Sequence, residues 1–413
     1  MNRRARRHRH LAHAAAAIAT VGLLTGCTPI VSGWVPYWEA TAGTAAFSNS
    51  QVAPLFGDVS PFWFSATGPT GVITRVGSET SLNATVAAAR AKGLTVLPSI
   101  TDGTGKGVMA QILADTTPVT GARAVHIANI VNLVMDRGYD GIDLDYEGFA
   151  FDDGRASWAT TKPLWVDFVN QLGAELHKDG RNKLLSITIP PTWLENGVET
   201  GYPVYAQGEI AASADRIRLM VYDFSFSSPG PLAPMTWVQK VIEYSNSKVA
   251  ERSKLQLGVP TYGRNWAIQK NSREVCPSGA LRTTSLQMEN SAALITSKGA
   301  TPVRDVSGEM RFTYTEVASG YRTAPIPAPP YVPPPTQIES VPGAADSLVP
   351  AKRLAPPSTI VTCTVEHRVF YPDAQSVQQR TQAALDAGWR GSILWALGYE
   401  TADVWSALGA ISP

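Results

Sequence analysis

The 413 residues carry 35 basic and 34 acidic side chains, and nothing in that balance suggests a nucleic-acid partner. Three of the six histidines fall within the first 13 residues, and His126, His177 and His367 lie far apart without ligand spacing. The sequence therefore offers no zinc site, no other metal site and no cofactor site.

The chain opens with a processing signal. Arg3, Arg4, Arg6, Arg7 and Arg9 form a basic n-region, and Leu11 to Leu24 form an apolar h-region too short to span a membrane comfortably. Leu24-Thr25-Gly26-Cys27 resembles a bacterial lipobox. The resemblance implies that residues 1–26 are a lipoprotein signal peptide and that Cys27 is lipidated. The protein is then expected to be exported and held on the outer face of the cytoplasmic membrane. Without those 26 residues the chain keeps 30 basic and 34 acidic side chains, a net charge of about −4.

Eight short apolar runs read as buried parallel strands: Val31–Tyr37, Asp58–Phe64, Thr95–Ile100, Gly141–Tyr146, Leu184–Ile189, Ile217–Tyr222, Leu255–Val259 and Ser392–Leu397. Helix-like stretches lie between them at Ser81–Lys92, Ala122–Arg137, Trp158–His177, Thr236–Arg252 and Ala374–Ala387, and a last one spans Ala402–Leu408. This alternation predicts an α/β fold, a (β/α)₈ TIM barrel built from residues 27–265 and 374–413. The gap before the eighth strand is too long for a plain loop. Residues 266–373 are read as a small α+β insertion, with strands at Met310–Tyr314 and Val361–Phe370 and a Pro-rich excursion over 323–357. Cys276 and Cys363 both fall in it, and two leftover cysteines in an exported chain are read as a disulfide.

The densest chemistry is in Asp140-Gly141-Ile142-Asp143-Leu144-Asp145-Tyr146-Glu147. The period of two sends Ile142, Leu144 and Tyr146 to one face and Asp143, Asp145 and Glu147 to the other. A line of three acids on a buried strand is costly unless they share protons or hydrogen bonds, and sharing pushes their pKa values apart. In a barrel, the C-terminal ends of strands build the site, so Glu147 sits at the mouth with Asp145 and Asp143 progressively deeper. Asp140 lies off this face and is read as structural.

The pattern Asp140-x-x-Asp143-x-Asp145-x-Glu147 resembles the signature of family 18 glycoside hydrolases, which include chitinases and endo-β-N-acetylglucosaminidases. Gly33-Trp34 is similar to that family's first strand, Met220-Val221-Tyr222-Asp223 to the end of the sixth, Gly258-Val259-Pro260-x-Tyr262-Gly263-Arg264 to the seventh, and Trp395 to the eighth. Ser99-Ile100-Thr101-Asp102-Gly103 departs from the Ser-x-Gly-Gly of many chitinases, and Trp395-Ala396-Leu397-Gly398-Tyr399-Glu400 looks closer to bacterial cell-wall and spore-cortex hydrolases.

The resemblance implies a retaining, substrate-assisted hydrolase in which the sugar's own 2-acetamido oxygen attacks the anomeric carbon. Glu147 would be the acid, Asp145 would hold the acetamido group, Asp143 would share a proton with Asp145, and Tyr222 would orient the acetamido oxygen. Trp395 would floor the sugar, and Trp34, Met220, Asp223, Tyr262 and Arg264 would bind substrate. The expected partner is an N-acetylglucosamine-containing glycan, in peptidoglycan or chitin, and the protein is expected to act as a monomer. The alternatives are a catalytically silent N-acetylglucosamine-binding, lectin-like protein and an endo-glycosidase acting on N-glycans.

Overall fold

The computed structural model describes residues 29–322 and 359–411. Residues 1–26, the expected signal peptide, together with Cys27 and the Pro-rich stretch 323–357, lie outside the described residues. No helix among the described residues is long and apolar enough to cross a membrane.

Eight parallel strands close into a barrel. They are β1 (Val31–Pro36), β2 (Phe56–Thr67), β3 (Ser99–Asp102), β4 (Gly141–Asp145), β5 (Leu184–Ile189), β6 (Arg216–Leu219), β7 (Leu255–Pro260) and β8 (Ser392–Trp395). Each pairs with the next, and β1 closes the ring by pairing with both β2 and β8. The third strand begins as a short piece, Thr95–Val96, that pairs with β2. The ladder breaks at Leu97-Pro98 because proline has no N–H to donate, yet the Pro98 carbonyl accepts the Asp143 N–H at 3.0 Å. β2 outruns its sequence-based span because it continues into a hairpin with Val72–Arg75.

The helices cover the barrel for the reason their apolar period suggests. Trp158–His177 turns Trp165, Phe168, Val169, Leu172 and Leu176 inward, the i, i+3, i+4, i+7 stripe of one helix face. Asp373 caps helix Ala374–Asp386 by accepting the Ser376 N–H at 2.9 Å. Asp140 has a comparable local duty, since its carboxylate accepts the Val96 N–H at 2.8 Å and pins β4 to the start of the third strand.

The insertion is an antiparallel sheet ordered Thr284–Gln287, Tyr262–Gln269, Ile360–Tyr371, Met310–Tyr321 and Val303–Arg304, with helix Ser291–Lys298 beside it. Its first strand runs straight out of β7 and starts at Tyr262, inside the span that the sequence assigns to the barrel. Cys276 and Cys363 are joined by a disulfide. The hairpin Thr192–Glu195/Val198–Gly201, on the mouth side after β5, has no counterpart among the predicted elements.

Candidate active site

β4 is buried along its whole length. Ile142 and Leu144 pack outward into the main core, so the alternation sends Asp143 and Asp145 into the barrel and Glu147 to its rim. Asp143 is wholly buried and saturated with donors. Trp34 Nε1 (3.0 Å), Ser99 Oγ (2.8 Å) and Thr188 Oγ1 (3.2 Å) reach its Oδ2, and Ser186 Oγ (2.6 Å) reaches its Oδ1. Asp145, one step higher, has an Oδ1 that is buried without a hydrogen-bond partner among the described residues.

These environments separate the acids. Burial, followed by the charges of Glu147 and Asp143, holds the Asp145 carboxyl well above the usual carboxylate range. Burial first, and the Asp223 carboxylate second, push Glu147 up to about 7. A carboxyl that keeps its proton near neutrality at the mouth of a cleft can protonate a leaving group. Burial likewise raises the Tyr222 hydroxyl well above its ordinary value, so it stays a neutral donor. Tyr222 lies against Gly258, where any side chain would meet the Leu219 carbonyl at 2.5 Å and the Tyr222 ring at 3.1 Å.

Two clefts open at this rim and both include Asp223. One, of about 710 Å³, is lined by Glu147, Met220 and Tyr222 together with Trp193, Tyr202 and Phe224. The other is lined by Tyr262, Arg264, Gln287, Asn290, Trp395 and Tyr399. Asp223 takes a left-handed backbone conformation, φ 59°, which a non-glycine residue holds only when its surroundings fix it. Here the Tyr262 hydroxyl donates to its carboxylate at 2.6 Å, and Arg264 donates from Nε (3.0 Å) and Nη2 (2.8 Å). The Arg264 guanidinium also stacks over Phe226 at 4.2 Å.

Trp395 packs edge-on against Phe62 (4.9 Å between ring centroids) and Trp34 (5.8 Å), which fixes its plane under the second cleft. Trp34 departs from the sequence expectation. It is 1% exposed, so it presents no surface to a substrate; β1 buries its ring and turns the indole N–H onto Asp143. The other sequence-derived site residues, Glu147, Asp145, Tyr222, Asp223, Met220, Tyr262, Arg264 and Trp395, converge on the barrel mouth.

Sequence reasoning missed the support beneath them. Ser99, Ser186 and Thr188, on β3 and β5, bind Asp143. Asp58, Arg216 and Arg218 fill the barrel below it. One signal was available, since Arg216, Arg218 and Met220 share a parity on β6. On the Trp395 side, Trp38 Nε1 donates to the Tyr399 hydroxyl at 2.8 Å, and burial raises Glu400 to about 7.

Comparison with known proteins identifies the family and the fold. The family model for glycosyl hydrolases family 18 matches residues 67–400, more than half of the chain. A putative sporulation-specific glycosylase, YdhD of Bacillus subtilis, is 31% identical over 183 residues, which cover 42% of this chain and 39% of that protein. A chitinase from Chromobacterium violaceum superposes with a TM-score of 0.65 at 20% identity, covering 92% of this chain and 98% of that one. A chitinase from Cycas revoluta, solved in complex with (GlcNAc)₃, gives 0.64 at 19% identity and covers 93% and 99%. At those identities the structures speak for the fold, whereas the family match spans both the acid strand and the insertion. The chain belongs to glycosyl hydrolase family 18.

Proposed function

We propose that this protein hydrolyses β-1,4 bonds next to N-acetylglucosamine, in peptidoglycan or a chitin-like glycan, by retaining, substrate-assisted catalysis. The observation that carries the reading is the acid line itself, with a proton-bearing Glu147 at the mouth and no second exposed carboxylate placed as a nucleophile on its strand. The acetamido carbonyl oxygen of the sugar attacks C1 as the C1–O bond breaks, and the Glu147 proton passes to the leaving oxygen. The Asp145 carboxyl accepts the acetamido N–H and holds the group in place as the oxazolinium forms. Tyr222 orients the acetamido oxygen, and Trp395 supports the ring. Glu147, now a carboxylate, takes a proton from water; the water oxygen bonds to C1 and the oxazoline ring opens with retention.

The similarity to a sporulation-specific glycosylase supports a wall glycan, and the chitinase-like fold supports chitin oligosaccharides. The test is hydrolysis of chitin oligosaccharides, purified peptidoglycan and an N-glycosylated protein by wild type and Glu147→Gln, with products identified by mass. Cleavage by wild type, with a loss of about 10²–10⁴-fold in the variant, is expected. Binding by both without cleavage by either would overturn the enzyme reading in favour of a lectin. We further propose attachment through a lipid at Cys27, checked by metabolic labelling with a fatty-acid analogue in wild type and Cys27→Ser.

A further inference from the structure

Charge is sorted along the barrel axis, and the reaction above uses only one end. At the mouth, the segments that follow the strands are acidic. Glu39 follows β1, Glu147, Asp152 and Asp153 follow β4, Asp223 follows β6 and Glu400 follows β8. Arg264, a cation of the same rim, is bound to Asp223. At the opposite end, the base, the order is reversed. The residues that link each helix to the next strand comprise eight Lys/Arg against four Asp/Glu, an excess of four positive charges. Lys92 precedes the third strand, Lys183 precedes β5, Arg252 and Lys254 precede β7, and Arg390 precedes β8.

Part of this excess is ordinary capping. A cation near a helix C-terminus meets free carbonyls and the negative end of the helix dipole. Arg90 Nη2 donates to the Gly138 carbonyl at 2.7 Å, Lys183 Nζ to the Tyr139 carbonyl at 2.7 Å and Lys254 Nζ to the Ala211 carbonyl at 2.9 Å. These bonds tie neighbouring junctions together, and a carbonyl carries no net charge to cancel the cation's. Of the acids on this face, Glu175 is engaged by Arg181 at 3.4 Å, Asp215 by His177 at 2.9 Å, and Glu251 lies 3.6 Å from Lys254. Lys92, Arg252 and Arg390 have no such duty. All three are exposed, and their side chains form no ion pair or hydrogen bond among the described residues. Two of them flank the chain entry. Gly391 lies against the Ile30 carbonyl, the Arg390 N–H donates to the Leu255 carbonyl at 2.9 Å, and Arg252 packs beside Gly388.

We propose that the barrel base docks on an anionic phospholipid surface, with Lys92, Arg252 and Arg390 against the headgroup phosphates. The net charge of the chain, only +1, does not decide such a contact. Salt screens exposed charges beyond about 8 Å, and the strands alone put roughly 15–20 Å between base and mouth. A surface against the base therefore meets the cations and not the acidic rim. The inference goes beyond the glycosidase reading and does not depend on it. The choice of a bilayer over another polyanion rests on the lipid proposed at Cys27, which only Thr28 to Ile30 separate from the first strand on this same face. An acyl chain and a basic patch together hold a protein to a membrane where one signal alone is marginal.

The experiment uses the protein without residues 1–27, since the described fold begins at residue 29. It measures co-sedimentation with vesicles of phosphatidylcholine alone or with about 30% phosphatidylglycerol. The parent protein should bind the anionic vesicles about tenfold or more tightly than the neutral ones, and should be released as salt rises. Lys92→Gln/Arg252→Gln/Arg390→Gln should lose about tenfold or more of that binding, with Tm and glycan hydrolysis unchanged. Lys270→Gln/Arg273→Gln/Arg282→Gln, which removes the same charge from exposed positions of the insertion, should keep it. Equal losses in the two triple variants would show net charge at work and overturn the docking face. Equal binding to both kinds of vesicle, or binding insensitive to salt, would overturn it without any variant. Binding to a soluble anionic wall polymer but to neither vesicle would overturn the membrane as partner. Vesicle binding that persists while fatty-acid labelling at Cys27 fails would support the docking face and sink only the anchor. A parent protein that binds vesicles but hydrolyses no glycan would likewise support it and sink only the glycosidase reading.

Discussion

At Glu147, one carboxyl's surroundings set both a rate and a stability. Its folded pKa of about 7 exceeds its ordinary 4.5, chiefly through burial and secondarily through Asp223. As the general acid it must hold a proton, so kcat/KM should fall as pH rises through about 7. Asp223→Asn should draw that limb to lower pH. The stability sign follows from the same shift. The folded state binds this proton more tightly than the unfolded chain does, so the group favours folding below about 4.5 and loses that contribution as pH rises towards about 7. Glu147→Gln should therefore stabilise the fold more at pH 8 than at pH 4, read as the difference in Tm from wild type; an equal shift at both would show that the carboxyl is not desolvated. The acids themselves were legible because a period of two in one short segment fixes which side chains share a face. Their partners were not, because Ser99, Ser186, Thr188 and Arg218 sit on three other strands whose register a single sequence does not state.

Between elements, the insertion is tied to the barrel through one buried carboxylate. Glu309 accepts the N–H groups of Leu232 (2.9 Å) and Ala233 (2.6 Å), in the segment that follows β6 and Asp223. It also pairs with Arg380 at 3.2 Å, on helix Ala374–Asp386, and Arg380 Nε donates back to the Ala233 carbonyl at 3.0 Å. Removing one partner of a buried pair strands the other's charge, at a cost of about 3–5 kcal/mol. Glu309→Ala should lose that much in urea unfolding. It should also raise KM more than it lowers kcat, because the segment holding Asp223 loses its anchor while the acid line keeps its own. An unchanged KM would mean that Tyr262 and Arg264 alone position Asp223. None of this was visible from sequence, where Glu309 is one acid in a polar turn. The strands were visible, since parallel strands covered on both faces read as continuous apolar runs. The hairpin Thr192–Gly201 escaped because its residues alternate weakly and half of its strand residues are exposed.

For the whole molecule, eight apolar runs separated by helical stretches left few closures other than a barrel, and one overlong gap located the insertion. The direction of the strands adds a consequence for placement. All eight run parallel, so their starts share one face and Glu147 lies at the other. The chain enters at that first face, where the Ile30 N–H donates to the Leu55 carbonyl at 3.0 Å, just before β1. In the sequence only Thr28 to Ile30 separate Cys27 from Val31. Extended, three such residues reach about 10 Å. A lipid at Cys27 would therefore hold the barrel's bottom against the membrane and aim the acid line away from it, at glycan within one protein's height of the bilayer. Inserting a long Gly/Ser linker after Cys27 should leave hydrolysis of soluble oligosaccharides unchanged while altering which wall strands are cut in cells, measured as the chain-length distribution of released fragments. Identical fragments with and without the linker would show that reach is not what selects the substrate, and the short tether would then have no part in function.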